Sequence, residues 1–185
     1  MEARTHNTEQ ECRALLRSCR ELFEKKLHDY GAAWRILRPE SLTDQIYIKA
    51  ERIRSLQING FAAVDEGVES EFIGIINYGI IGMIQLERGA VSSPDLSPGE
   101  ALAEYDCYAE KTLQLMLAKN HDYGEVWRNM RVTSMTDLIL SKVHSTKQIE
   151  DLRGETFVSE GIEANYMDMV NYALFCLIKL NSPEA

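Results

Sequence analysis

One block of this sequence is written twice, and that limits the folds open to it more than anything else. Residues 26–49 read KLHDYGAAWRILRPESLTDQIYIK, and residues 119–142 read KNHDYGEVWRNMRVTSMTDLILSK. A constant shift of 93 positions, as from Lys26 to Lys119, superposes His28 on His121, Asp29 on Asp122, Tyr30 on Tyr123 and Gly31 on Gly124. Trp34, Arg35, Arg38, Ser41, Thr43, Asp44, Ile46 and Lys49 likewise return as Trp127, Arg128, Arg131, Ser134, Thr136, Asp137, Ile139 and Lys142. The identities fall on polar, aromatic and glycine positions, so shared composition does not produce them. After a one-residue slip, Glu66-Gly67-Val68-Glu69 returns as Glu160-Gly161-Ile162-Glu163 and Asn77-Tyr78 as Asn171-Tyr172, now 94 apart. This period exceeds the roughly 20–50 residues of solenoid repeats. Two copies of a three-element unit, paired within one chain, are therefore expected, since one unit alone would bury only a marginal core.

The apolar spacing makes each element a helix. Thr8 with Glu11 resembles a capping box, and Leu15, Leu16, Cys19, Leu22, Phe23 and Leu27 follow at helical intervals as far as Gly31. Ser41 with Asp44 resembles a second cap, ahead of the stripe Leu42, Ile46, Ile53 and Leu56, which ends near Asn59-Gly60. A third helix is expected from Glu66 to about Glu87; its IGIINYGIIGMIQL half is apolar on nearly every face, and Gly74, Gly79 and Gly82 permit close helix approach. The Ser-, Pro- and Gly-rich stretch after it is a linker. Ser97-Pro98 with Glu100 opens the fourth helix. The second copy then repeats the scheme, with a helix to His121, one from about Met135, a polar loop over 153–159, and a last helix from about Glu160 to Leu180. The expected architecture is all-α: six main helices as two tandem three-helix repeats in an intrachain pseudo-dimer bundle. The first repeat is 8–87, the linker 88–97 and the second repeat 98–182, together one compact globule.

A formal charge of −9 argues against bulk nucleic acid as a partner. It leaves room for a small phosphorylated ligand held by a few cations. No apolar run reaches the roughly 18–20 residues that span a bilayer, so no membrane partner is expected. The opening MEARTHNTEQE lacks the apolar core of a signal peptide, making the cytoplasm the expected location. Cys12, Cys19, Cys107 and Cys176 have no metal-ligand spacing and read as reduced core thiols. The apolar third helices suit either the bundle centre or a homo-oligomer interface.

Three groups of residues can carry chemistry. On a wheel of about 100° per residue, Glu160, Glu163, Met167, Asn171, Leu174 and Ile178 share a face, as do Glu66, Glu69, Asn77, Ile73, Ile80 and Ile84. Two glutamates at i, i+3 can present carboxylates to one hard cation; equally, they are first-turn acids that favour the helix dipole. Lys49 and Lys142 stand on apolar faces, where each either snorkels outward, pairs with those glutamates, or meets a ligand phosphate. In the connector, Tyr30, Trp34, Tyr123 and Trp127 either plug the bundle or stack on a base. Arg35, Arg38, Arg128 and Arg131, beside Asp29 and Asp122, either hold backbone and acids or fork onto phosphate.

The DYGxxWRxxRxxSxTDxIxxK block followed by EGxE and NY resembles the nucleotide modification associated domain 1 family over roughly 20–86 and 113–180. More remotely, the K-x-x-D-Y-G turn is similar to that of MazG-like all-α NTP pyrophosphohydrolases. That likeness implies Mg²⁺-dependent (d)NTP pyrophosphohydrolysis, with Glu160, Glu163 and Asp168, and in the first copy Glu66 and Glu69, as metal ligands. Lys142 would assist catalysis, Arg128 and Arg131 would hold phosphates, and Tyr123 or Trp127 would face the base. Asp122 and Asn171, with Asp29, Tyr30, Trp34, Arg35, Arg38 and Lys49 of the first copy, complete the implied nucleotide-binding set. The chain departs from that pattern in two places. Lys49-Ala50-Glu51-Arg52 and Lys142-Val143-His144-Ser145 replace a paired-glutamate helix, and Gly74 stands where the second copy has Asp168. A nucleotide-handling protein and a non-catalytic structural module held by buried ion pairs are the two readings left.

Overall fold

The computed structural model describes residues 7–60, 67–153 and 161–182. Over these the chain forms α1 (Thr8–Tyr30), α2 (Pro39–Asn59), α3 (Val68–Arg88), α4 (Pro98–Tyr123), α5 (Val132–Asp151) and α6 (Ile162–Leu180). Each helix is placed by its sequence. Gly31 and Gly124 end α1 and α4 at φ of 60° and 64°, a backbone region that L side chains resist, and each sends the chain into a 3₁₀ turn, Ala33–Ile36 or Val126–Asn129. Ser97 and Glu100 form the expected capping box. No strand occurs among the described residues.

Equivalent helices pack on each other: α1 on α4, α2 on α5 and α3 on α6. This is the self-complementary pattern that a two-fold axis imposes, here within one chain. Contacts across the axis come in matched pairs. Thr43 donates to Glu150 at 2.6 Å, and Gln57 donates to Thr136 at 3.0 Å. Lys147 meets Asp44 at 2.5 Å, and Arg54 meets Asp137 at 3.8 Å. α3 and α6 form the centre. A Cβ at Gly79 would lie 2.5 Å from Val170, and one at Gly82 2.9 Å from the Tyr166 ring, so glycine allows the two helices to touch. Their apolar faces are thus buried on each other at the bundle centre. No helix among the described residues is long and apolar enough to cross a membrane.

Three local expectations are corrected. Asn7, not Thr8, caps α1, accepting from the Gln10 amide at 3.1 Å. Thr8 and Glu11 instead serve Arg128 of the second copy, a tertiary use that displaces the local box. α2 starts at Pro39, ahead of the Ser41–Asp44 pair, because proline has the helical φ preset and no N–H to lose. The fifth helix starts at Val132, the same register. Cys12, Cys19 and Cys176 are buried, and burial pushes their thiols up to about 12, but Cys107 is exposed.

Candidate functional site

The DYG turn, the 3₁₀ connector and the third helix enclose a cleft in each copy. The first has a volume near 400 Å³ and the second near 170 Å³. Each of the eleven residues lining the second cleft has its repeat counterpart in the first. The pairs include Lys26/Lys119, Tyr30/Tyr123, Trp34/Trp127, Asn77/Asn171 and Tyr78/Tyr172, and the unlike pairs Gly74/Asp168 and Ile81/Phe175. The chain has thus built one cleft twice.

Its floor is alike in the two copies. Asn77 donates to the Cys19 carbonyl at 3.3 Å, and Asn171 to the equivalent Thr112 carbonyl at 3.4 Å. Tyr105 of α4 donates to Asn77 Oδ1 at 2.7 Å. The repeat puts Cys12 where Tyr105 stands, and cysteine has no hydroxyl to give. Asn171 Oδ1 accordingly has no partner among the described residues.

The charges differ by one helical turn. In copy one Glu71, 4% exposed, takes Lys49 at 3.2 Å and also Arg52. In copy two Asn165 holds the place of Glu71, and Lys142 reaches it only at 3.5 Å. The carboxylate there is Asp168, 9% exposed, whose oxygens take Lys119 at 2.7 Å and Lys142 at 2.8 Å. Gly74, at the position of Asp168, puts no carboxylate into the first cleft. A Cβ there would fall 2.4 Å from Lys49 Cε, so the lysine stem lies where a side chain would be. Phe175 closes the second cleft further by stacking on Trp127, with centroids 4.2 Å apart. Among the described residues the only charged side chains lining the first cleft are Lys26 and Lys49.

The structure brings Lys49, Tyr30, Trp34 and Asn77 to one cleft, and Tyr123, Trp127, Asp168 and Asn171 to the other, with Lys142 reaching Asp168 from behind. It separates the arginines from them. The Arg35 guanidinium, 1% exposed, forks onto Asp95 at 2.7 and 3.3 Å, donates to the Gly89 carbonyl at 2.8 Å, and bonds Gln85. That guanidinium holds the Asp95 carboxyl below its ordinary range. Arg128 lies 4.3 Å from the Trp127 ring centroid and donates to Glu11, Glu125 and Thr8. Gln85 and Lys179, at equivalent positions, bind the carbonyls of Arg35 and Arg128. Arg38 and Arg131 are exposed residues flanking the starts of α2 and α5, and Asp29 and Asp122 are exposed beside His28 and His121. Glu69 is exposed, and Glu163 pairs with Lys111 at 2.6 Å. Glu66 and Glu160 lie outside the described residues. Among the described residues, no three His, Cys, Asp or Glu side chains gather as a metal site.

Sequence reasoning did not single out Glu71, Lys26 or Lys119. The matched pair Lys26/Lys119 was visible, and its helical distance from the DYG turn was the signal that it faces the same cleft.

A duplicated all-α bundle with one cleft per copy is the class that the fold defines. Residues 26–86 and 119–180 both match the nucleotide modification associated domain 1 family, and together they make up more than half of the chain. The chain belongs to that family, in two tandem copies. Neither a curated protein nor a solved structure matches it.

Proposed function

We propose that the chain handles nucleotides by binding one in the cleft of its first copy. The observation that carries this reading is the contrast between Gly74 and Asp168, with Ile81 against Phe175, in two clefts lined by equivalent positions. A cleft near 400 Å³ falls in the range of small-molecule sites, roughly 300–1,000 Å³, whereas one near 170 Å³ falls below it. Phe23, Trp34 and Ile81 offer an apolar wall for a planar base. Lys26 and Lys49 offer charge to phosphate on a chain whose net charge is −9. Titration calorimetry with a panel of nucleotides tests the reading. Saturable binding, weakened at least about ten-fold in Lys49→Met, is expected. If the wild type binds no nucleotide, the reading fails.

In copy two the same residues support the structural alternative. One carboxylate locks two lysines, and the cleft is small. Pyrophosphohydrolysis, the remoter likeness, would need Mg²⁺ held by Glu163 and Asp168 together with Glu160, or by Glu66 and Glu69. Asp168 gives its oxygens to two ammonium groups and Glu163 to Lys111, so the described donors do not fit a divalent cation. No hydrolytic step is drawn through one. Pyrophosphate release from any dNTP with Mg²⁺ would reverse that judgement.

A further inference from the structure

We propose that the ligand of the first cleft is a nucleoside monophosphate, its phosphate seated between Lys26 and Lys49 where copy two holds the Asp168 carboxylate. This rests on the nucleotide reading above and adds the form of the anion and the number of sites.

The second copy supplies an internal template. Asp168 bridges Lys119 of α4 at 2.7 Å and Lys142 of α5 at 2.8 Å, so one oxyanion satisfies two ammonium groups. The repeat sets Lys26 on α1 where Lys119 stands, and Lys49 on α2 where Lys142 stands. Both line the first cleft, and at residue 74 α3 gives them no side chain at all. Lys49 leans one turn back to Glu71 at 3.2 Å, a carboxylate it shares with Arg52, and Lys26 has no ion pair among the described residues. The first cleft therefore has the cations of the second without its acid.

The anion that replaces a carboxylate between two lysines is compact. A phosphate monoester presents three oxygens and nearly two charges, which two ammonium groups offset. A triphosphate spreads further charge along a chain that only these two lysines face, and the described residues provide no set of acids for the metal that would otherwise neutralise it. The base rests on the apolar wall of Phe23, Trp34 and Ile81 beyond the lysines. In copy two, Asp168 is its own occupant, and that cleft takes no ligand.

Titration of the whole chain with deoxynucleoside monophosphates, their nucleosides, the triphosphates without metal, and inorganic phosphate tests this at one fixed ionic strength. The monophosphate is expected to bind at least about ten-fold more tightly than its nucleoside, and more tightly than the triphosphate. Gly74→Asp copies the acid of the second cleft into the first and is expected to abolish monophosphate binding. Only the flexible end of Lys49 has to move to admit it. Lys26→Gln, at an exposed residue, leaves the fold intact and is expected to weaken the monophosphate at least about ten-fold while sparing the nucleoside. Should circular dichroism show Gly74→Asp unfolded, Lys26→Gln decides. Equal affinity for nucleoside and monophosphate, tighter binding of the triphosphate, or unaltered monophosphate binding in Lys26→Gln overturns the phosphate seat and leaves the nucleotide cleft standing. No binding of any nucleotide or nucleoside overturns both.

Discussion

Copy one keeps its buried acid at Glu71 and a glycine at 74, while copy two keeps an asparagine at 165 and its acid at Asp168. In both, a lysine from the preceding helix finds a carboxylate on the third helix, so each lysine is paired. Moving that carboxylate by one turn decides something else: whether a side chain stands inside the cleft. Charge pairing and access are therefore set at one and the same helical face, and duplication let them separate. The α1–α4 contact has diverged in a similar way. Arg13 and Arg17 occupy the repeat positions of Asp106 and Glu110, so two unaltered copies would place like charges across the axis. Instead Arg13 meets Glu110 at 2.8 Å and Arg20 meets Asp106 at 2.6 Å, which favours pairing of unlike halves.

The largest effect is expected where the copies differ in how their connector arginine is held. Arg35→Ala leaves buried Gln85 short of a donor and opens a space behind the linker, for a loss of about 3 kcal/mol in chemical denaturation. Arg35→Lys recovers only part, because an ammonium cannot fork onto Asp95. Arg128→Ala is expected to cost about half as much, since Arg128 and its acids are partly solvated. Equal losses below about 1 kcal/mol would show that the arginines do not hold the connectors.

Next come the two acids. Glu71→Gln is expected to cost about 2 kcal/mol and Asp168→Asn about 1 kcal/mol, because the lysines on Asp168 are the more exposed partners. A larger loss for Asp168→Asn would invert the ranking of the two ion pairs.

The smallest effect is a gain. Glu150 bonds Thr43 where the other half has Gln57 on Thr136. Burial raises the folded-state pKa of Glu150 above its unfolded value. The folded state therefore holds this proton more tightly, and stability falls as pH rises through the folded pKa. Glu150→Gln removes that cost while an amide oxygen still accepts from Thr43. It is expected to stabilise by less than about 1 kcal/mol at pH 7 and to do nothing below about pH 3, where the carboxyl is protonated in both states. A gain independent of pH would mean that burial of the charge is not its source.

The doubling and the three helices per copy were legible because Asp29-Tyr30-Gly31, Trp34 and Lys49 recur at a fixed shift and the apolar residues keep helical spacing. That Lys49 and Lys142 can pair with third-helix acids was legible as one of three readings. Which acids they meet was not: the wheel favoured Glu66 with Glu69 and Glu160 with Glu163, yet the lysines reach Glu71 and Asp168. The answer depends on how α2 and α5 slide along α3 and α6, a tertiary quantity that periodicity does not carry. The repeat alone did not decide between the two readings of Arg35 and Arg128, for a related reason. Their partners Asp95 and Glu125 lie in the linker and in an unmatched connector position, and Glu11, though repeated as Glu104, lies far along the chain from Arg128, so no local signal marks them as structural.

The most direct test of the account is the number of nucleoside monophosphate molecules that one chain binds, read from calorimetric titration. One per chain is predicted, rising to two when Asp168→Gly combined with Phe175→Ile gives the second cleft the residues of the first at both positions. Two per chain in the wild type would contradict the claim that these residues make one cleft open and the other closed, and so would an unaltered count in the double variant.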